Sequence, residues 1–143
     1  MTVSHWVKFN ANAGYDGHPC TSYALGHNTG GANSLFVHVD SEPKLWITGN
    51  AGVSATAVKV NDGKWHQITV VIDKNTFKFY IDGYLFESKT IALNNYIGQT
   101  QDIALHRWYS GSASASRFNG WVDEFRIYNR ALTNSEVQKL YQQ

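Results

Sequence analysis

Four consecutive residues, His106-Arg107-Trp108-Tyr109, carry the densest chemistry in the chain. Sugar rings present C–H faces that stack on Trp and Tyr, and hydroxyls that bond the planar groups of Arg and His. A cluster of this kind at a strand end suits a site where a few polar groups orient a ligand over an apolar platform. The alternative is that Trp108 caps a core and Arg107 is solvated. Trp46 is a second candidate. In Lys44-Leu45-Trp46-Ile47-Thr48, alternation groups it with Lys44 and Thr48 and away from Leu45 and Ile47, so it is expected to face outward. Asn12 to His18, with Tyr15, Asp16 and His18, is a polar-aromatic loop that could line the same rim.

Asp123 raises a different question. Alternation places it beside Phe125 and Ile127, so if those enter a core, a carboxylate enters with them. A buried carboxylate must be hydrogen-bonded, paired or metal-bound. His66 shares a row with Ile68, Val70 and Ile72 and is expected to be a hydrogen-bonded core histidine, while Trp65 lies on the opposite side.

Catalytic signatures are few. The glutamates are Glu42, Glu87, Glu124 and Glu136, and no ExDxxE strand motif pairs two of them for glycoside hydrolysis. Nor is there an HExxH zinc motif, a GxSxG elbow or a phosphate-binding glycine loop. Cys20 is the single cysteine, so an intrachain disulfide is excluded; it is expected to be a half-buried thiol on a strand.

The elements that must position these residues are strands. Trp65 to Asp73 alternates strictly, Thr76 to Ile81 follows, and Asp82-Gly83 separates it from Tyr84 to Glu87. Asp-Gly between two strand patterns signals a type I′ hairpin, because both turn residues need positive φ. Asp62-Gly63 marks another turn, and further strands are expected at 3–9, 20–27, 34–40, 44–48, 53–60, 102–107 and 121–128. Short strands at this spacing predict an all-β, two-sheet antiparallel jelly-roll β-sandwich. Thr133-Asn134-Ser135-Glu136 is a capping box with Leu132 and Val137 at the staple positions, which predicts one short C-terminal helix with Val137, Leu140 and Tyr141 as its apolar stripe. Composition agrees with an ordered, strand-rich domain: 143 residues with 5 Trp, 8 Tyr and 7 Phe. A net charge of +1 argues against a nucleic-acid groove, and no apolar run is long enough for a membrane helix. The N-terminus carries no basic, apolar, cleavable leader pattern.

Three segments together resemble one family. Asp62-Gly63-Lys64-Trp65-His66-Gln67-Ile68 resembles the "GKWHxI/V" strand of laminin-G-like, concanavalin-A-like lectin-glucanase jelly rolls. Tyr80-Ile81-Asp82-Gly83 resembles their "YxDG" hairpin, and Phe118 to Glu136 resembles their "FxGxVDEVRIYNRALSxxEI" ending. Thr2 to Lys8 resembles an early "TISxWVK" strand. Two features depart from the pattern: the usual earlier "FDGxDDYV" strand is missing, and His106 stands at the glycine of an "LxIG" turn.

The resemblance implies a single domain over 1–143 and a non-catalytic, extracellular or cell-surface module that recognises a glycan or glycoprotein. Ligand contacts are expected at Trp46, His106, Arg107, Trp108 and Tyr109. By the same resemblance Asp123 is a candidate ligand of a structural Ca²⁺, and a sheet edge left uncovered could support a homo-oligomer. A protein-interaction or adhesion module is the alternative, with a polysaccharide hydrolase or lyase behind it.

Overall fold

The computed structural model describes residues 1–10, 20–25, 35–39, 45–49, 52–56, 60–90, 103–105 and 119–143; for 20–25, 35–39, 45–49, 52–56 and 103–105 the backbone alone is described. The strands are β1 (Thr2–Phe9), β2 (Cys20–Leu25), β3 (Leu35–Val39), β4 (Leu45–Gly49), β5 (Gly52–Thr56), β6 (His66–Asp73), β7 (Thr76–Ile81), β8 (Tyr84–Thr90), β9 (Ile103–Leu105) and β10 (Gly120–Tyr128). They are followed by helix α1 (Asn134–Tyr141). The predicted strands at 20–27, 53–60 and 102–107 are shorter within the described residues, and the one starting at Tyr84 runs on to Thr90.

The chain divides into two units, each built on one sheet. One unit comprises Met1–Lys8, Trp65–Ala92 and Trp121–Gln143. Its sheet has the order β10-β1-β6-β7-β8. The other comprises Phe9–Lys64 and Leu93–Gly120, with the order β5-β4-β3-β2-β9. In that second sheet every pair is antiparallel, and Trp46 of β4 stands between His38 of β3 and Ala55 of β5.

The first sheet follows from period-two alternation. In β1, Val3, His5, Val7 and Phe9 form one row and are fully buried. The other row holds Thr2, Ser4, Trp6 and Lys8. Pairing of Thr2 with Val71, Ser4 with Thr69 and Trp6 with Gln67 carries this second row across to β6. The buried hydroxyls of Ser4 and Thr69 satisfy each other at 2.8 Å, so this polar pair is buried without an orphaned group.

Helix α1 covers that second face. Val137 and Leu140 pack on Val71, Tyr80 and Leu132, and each such apolar side chain contributes about 1.5–3 kcal/mol on burial. The Tyr80 hydroxyl donates to Asn134 Oδ1 at 2.6 Å and anchors the first turn. The capping box forms as the sequence predicts: Glu136 N donates to Thr133 Oγ1 at 3.3 Å and Thr133 N to Glu136 Oε2 at 2.8 Å. Arg130 clasps the same carboxylate with two hydrogen bonds of 2.9 and 2.7 Å. Together these hold the Glu136 carboxyl at about 2, the Arg130 bonds being the largest cause. Thr2 Oγ1 ties the first strand to the approach of the helix, donating to Arg130 O at 2.9 Å and accepting from Leu132 N at 3.0 Å.

The hairpin between β7 and β8 turns on Asp82 and Gly83, whose φ values of 52° and 78° are both positive, as a type I′ turn demands. Asp82 also fixes His66. The carboxylate pairs with His66 Nδ1 at 2.9 Å and accepts from Gln67 N at 2.9 Å. His66 is therefore the hydrogen-bonded, largely buried histidine that its row predicts.

Candidate functional site

The site begins with a fault in the alternation of β10. Glu124 has φ of +52°, a left-handed conformation that costs a non-glycine residue about 1–2 kcal/mol. The Asp123 side chain supports it locally: Asp123 Oδ1 accepts from Glu124 N at 2.8 Å. Alternation breaks at this point, with Asp123 and Glu124 exposed in succession. Phe125 comes to lie on the His5 side, with ring centroids 5.9 Å apart. Asp123, predicted to point with Phe125 into the core, is instead exposed. Counting by twos fails across a residue with helical-hand φ.

Asp123 and Glu124 instead line a groove of about 440 Å³ together with Trp6, Trp65, Arg126, Leu140 and Gln143. Such a volume falls within the range of small-ligand sites. Two adjacent strands, β10 and β1, and Trp65 immediately before β6 supply its polar and aromatic wall. Helix α1 supplies Leu140. Trp65 is 43% exposed, so its indole is available as a stacking surface. Trp6 is stacked on Tyr141, with ring centroids 5.5 Å apart and planes inclined by 25°. Tyr141 itself is 36% exposed rather than core, because it lies over Trp6 at the end of the helix.

Two of the charged groups of the groove, Arg126 and Glu124, are committed to each other. Arg126 forms an ion pair with Glu124 and donates to Gln143 Oε1 at 3.1 Å. Both partners of the ion pair remain partly in solvent, so the pair is worth little as a stability term. Its effect is to hold two planar groups in place beside the tryptophans. Farther along the same face, the Lys8 ammonium sits 5.3 Å from the centre of the Trp121 ring, which is 53% exposed.

A profile described as the concanavalin A-like lectin/glucanases superfamily matches residues 1–138. The chain belongs to that superfamily. Its fold class is the all-β jelly-roll β-sandwich with a short C-terminal helix, as the sequence predicts. Solved structures of this superfamily fold are similar over nearly the whole chain. Domain 4 of AbnA, an extracellular arabinanase from Geobacillus stearothermophilus, in complex with arabinotriose, matches at TM-score 0.70 and 25% identity, covering 99% of this chain and 66% of that one. The Ruminococcus gnavus IT-sialidase CBM40 bound to alpha2,3 sialyllactose matches at TM-score 0.77 and 12% identity, covering 98% and 81%. The binding domain of Paraclostridial Mosquitocidal Protein 1 matches at TM-score 0.69 and 19% identity; the chain covers 36% of that protein's length.

Of the site residues expected for this superfamily member, Asp123 is in the groove. Trp46 has its backbone placed in β4. His106, Arg107, Trp108 and Tyr109 lie outside the described residues, as does the loop from Asn12 to His18. Among the described residues no three His, Cys, Asp or Glu side chains converge at Asp123, and one Asp123 oxygen accepts from its neighbour's amide. Trp6 and Arg126 were not singled out by sequence reasoning. The available signal was the company Trp6 keeps in the row Thr2, Ser4, Trp6, Lys8, a polar row opposite the apolar row Val3, Val7, Phe9.

Proposed function

We propose that this chain is a non-catalytic carbohydrate-binding module, and that a sugar lies in the groove between Trp6, Trp65, Asp123, Glu124 and Arg126. One observation carries the reading: two tryptophans and three planar charged groups line the same small groove. Trp65 offers an apolar face for the C–H surface of a sugar ring. Asp123, Glu124 and Arg126 offer acceptors and donors for its hydroxyls. The sugar complexes of the similar arabinanase domain and sialidase module support the class of ligand. The absence of catalysis is supported by the pairing of Glu124 with Arg126, which occupies one of the two neighbouring carboxylates. An extracellular or cell-surface setting goes with this reading; Trp46, His106, Arg107, Trp108 and Tyr109 are proposed as ligand contacts on the sequence resemblance alone, separately from this groove.

The test is a glycan array followed by calorimetric titration of any hit. Trp65→Ala is expected to weaken binding about 10-fold or more, since stacking on indole removes apolar area from water at about 25 cal/mol per Å². A hit unaffected by both Trp65→Ala and Trp6→Ala refutes the placement of the ligand.

A protein-interaction module is the second reading. It is favoured by Tyr84, Leu85 and Phe86, consecutive residues of the edge strand β8 that are 69, 46 and 46% exposed. Apolar edges of this kind promote pairing between chains. Sedimentation equilibrium across a wide concentration range distinguishes the two: a dimer lost in Leu85→Lys supports the second reading.

A further inference from the structure

The charge arrangement of the groove selects among sugars. Resting on the carbohydrate-binding reading above, we infer that the groove takes a neutral oligosaccharide, a chain of uncharged hexose or pentose units, and rejects sugars that carry a carboxylate. Two carboxylates, Asp123 and Glu124, face one guanidinium, Arg126, so the wall has a net charge of −1. The one cation among the described lining residues is already engaged. Arg126 is bonded to Glu124 on one side and to Gln143 Oε1, 3.1 Å away, on the other. The next cation on this face, Lys8, is drawn over the ring of Trp121, 5.3 Å from its centre.

A uronic or sialic acid entering the groove must therefore break the Arg126–Glu124 pair or bring its charge against two carboxylates. Ionised carboxylates only accept hydrogen bonds, so the ligand groups that match Asp123 and Glu124 are donors. Neutral sugars supply hydroxyl donors at most of their unlinked ring carbons and bring no charge. At the effective dielectric of a half-exposed site, one uncompensated charge a few ångströms away weakens binding about 10-fold. Asp123 adjoins the left-handed Glu124, at the point where the alternation of β10 breaks.

The inference is tested by titrating the intact chain, at low ionic strength and pH 7, with two sets of trisaccharides. The neutral set is arabinotriose, xylotriose and cellotriose; the acidic set is tri-galacturonic acid and 3′-sialyllactose. The indole N–H resonance of Trp65 reports occupancy of the groove without any substitution. A neutral member is expected to shift that resonance and to bind at least about 10-fold more tightly than any acidic member. Glu124→Gln is expected to narrow that gap by releasing Arg126 for the ligand. Added salt should narrow it too. An acidic trisaccharide that shifts the Trp65 resonance and binds as tightly as the neutral ones overturns the inference and leaves the groove reading standing. Binding that leaves the Trp65 resonance unmoved, or no binding by either set, overturns the groove reading itself and the inference with it.

Discussion

His5 makes the chain sensitive to mild acid. Its side chain lies in the fully buried row of β1 and touches the Phe125 ring. Burial pushes its pKa from the ordinary 6.5 down to about 3, while a hydrogen bond with the Ile68 backbone pulls weakly the other way. Above pH 6.5 the imidazole is neutral in both folded and unfolded chains, and it adds no pH dependence. Below that value the unfolded chain takes up a proton that the folded chain refuses. Stability therefore falls as pH falls, from about 6.5 down to about 3. One and a half units below the unfolded value, at pH 5, the loss is about 2 kcal/mol at 1.36 kcal/mol per unit. For a domain of this size that is a drop of about 6 °C in Tm. The assay is urea unfolding of the wild-type chain and of His5→Leu at pH 7 and pH 5. The leucine keeps the row apolar and removes the titration, so the other ionisable groups cancel in the comparison. The wild-type chain is expected to lose about 2 kcal/mol more than the variant between the two pH values. Equal losses refute the reasoning. So does an imidazole C–H resonance of His5 that titrates with a midpoint near 6 in the folded protein.

Other perturbations probe the helix-covered face. Glu136 sits at about 2 against an ordinary 4.5, so the stabilisation from its bonds is complete above 4.5 and is lost as pH falls toward 2. Thermal melts of Glu136→Gln should therefore be less steep with pH in that window than those of the wild-type chain. Gly83→Ala asks the turn to hold alanine at φ of +78° with its Cβ 2.9 Å from Tyr141 Cβ. We expect a loss of about 1–2 kcal/mol in chemical unfolding, together with a change in near-ultraviolet circular dichroism as Tyr141 shifts on Trp6. Thr133→Ala removes one half of the capping box and is expected to cost about 1 kcal/mol, read by the same unfolding assay.

Much of the fold is legible in the sequence because its signals are local. The Asp82-Gly83 turn shows positive φ at both residues, and Phe77, Phe79 and Ile81 of the strand before it are buried together. The capping box and the buried Leu132 and Val137 of the staple place the helix. Trp65 is exposed on the side opposite His66, as its row predicts. The groove is harder to read. Its members lie at positions 6, 65, 123, 124 and 126 and meet only through the order β10-β1-β6 and the pairing of Trp6 with Gln67. No short-range pattern encodes that adjacency. The break in alternation is harder still, since Glu124 is neither Gly nor Asn and nothing in its type announces a left-handed backbone. Asp123 is expected inside only because strict alternation groups it with Phe125 and Ile127.

Strand β1 lies between β10 and β6, so the first residues of the chain are flanked by partners drawn from its middle and its end. During synthesis β6, β7 and β8 can form a meander from neighbouring residues, whereas β1 must wait for residues 120–128 to obtain its other neighbour. The Thr2 hydroxyl waits longer, for Arg130 and Leu132. Closure of contacts so distant along the chain places folding in the slow regime of about milliseconds to seconds. A nascent chain halted before Gly120 would display one edge of β1 with its backbone groups unsatisfied, and that edge is where a chaperone or a second nascent chain would first take hold.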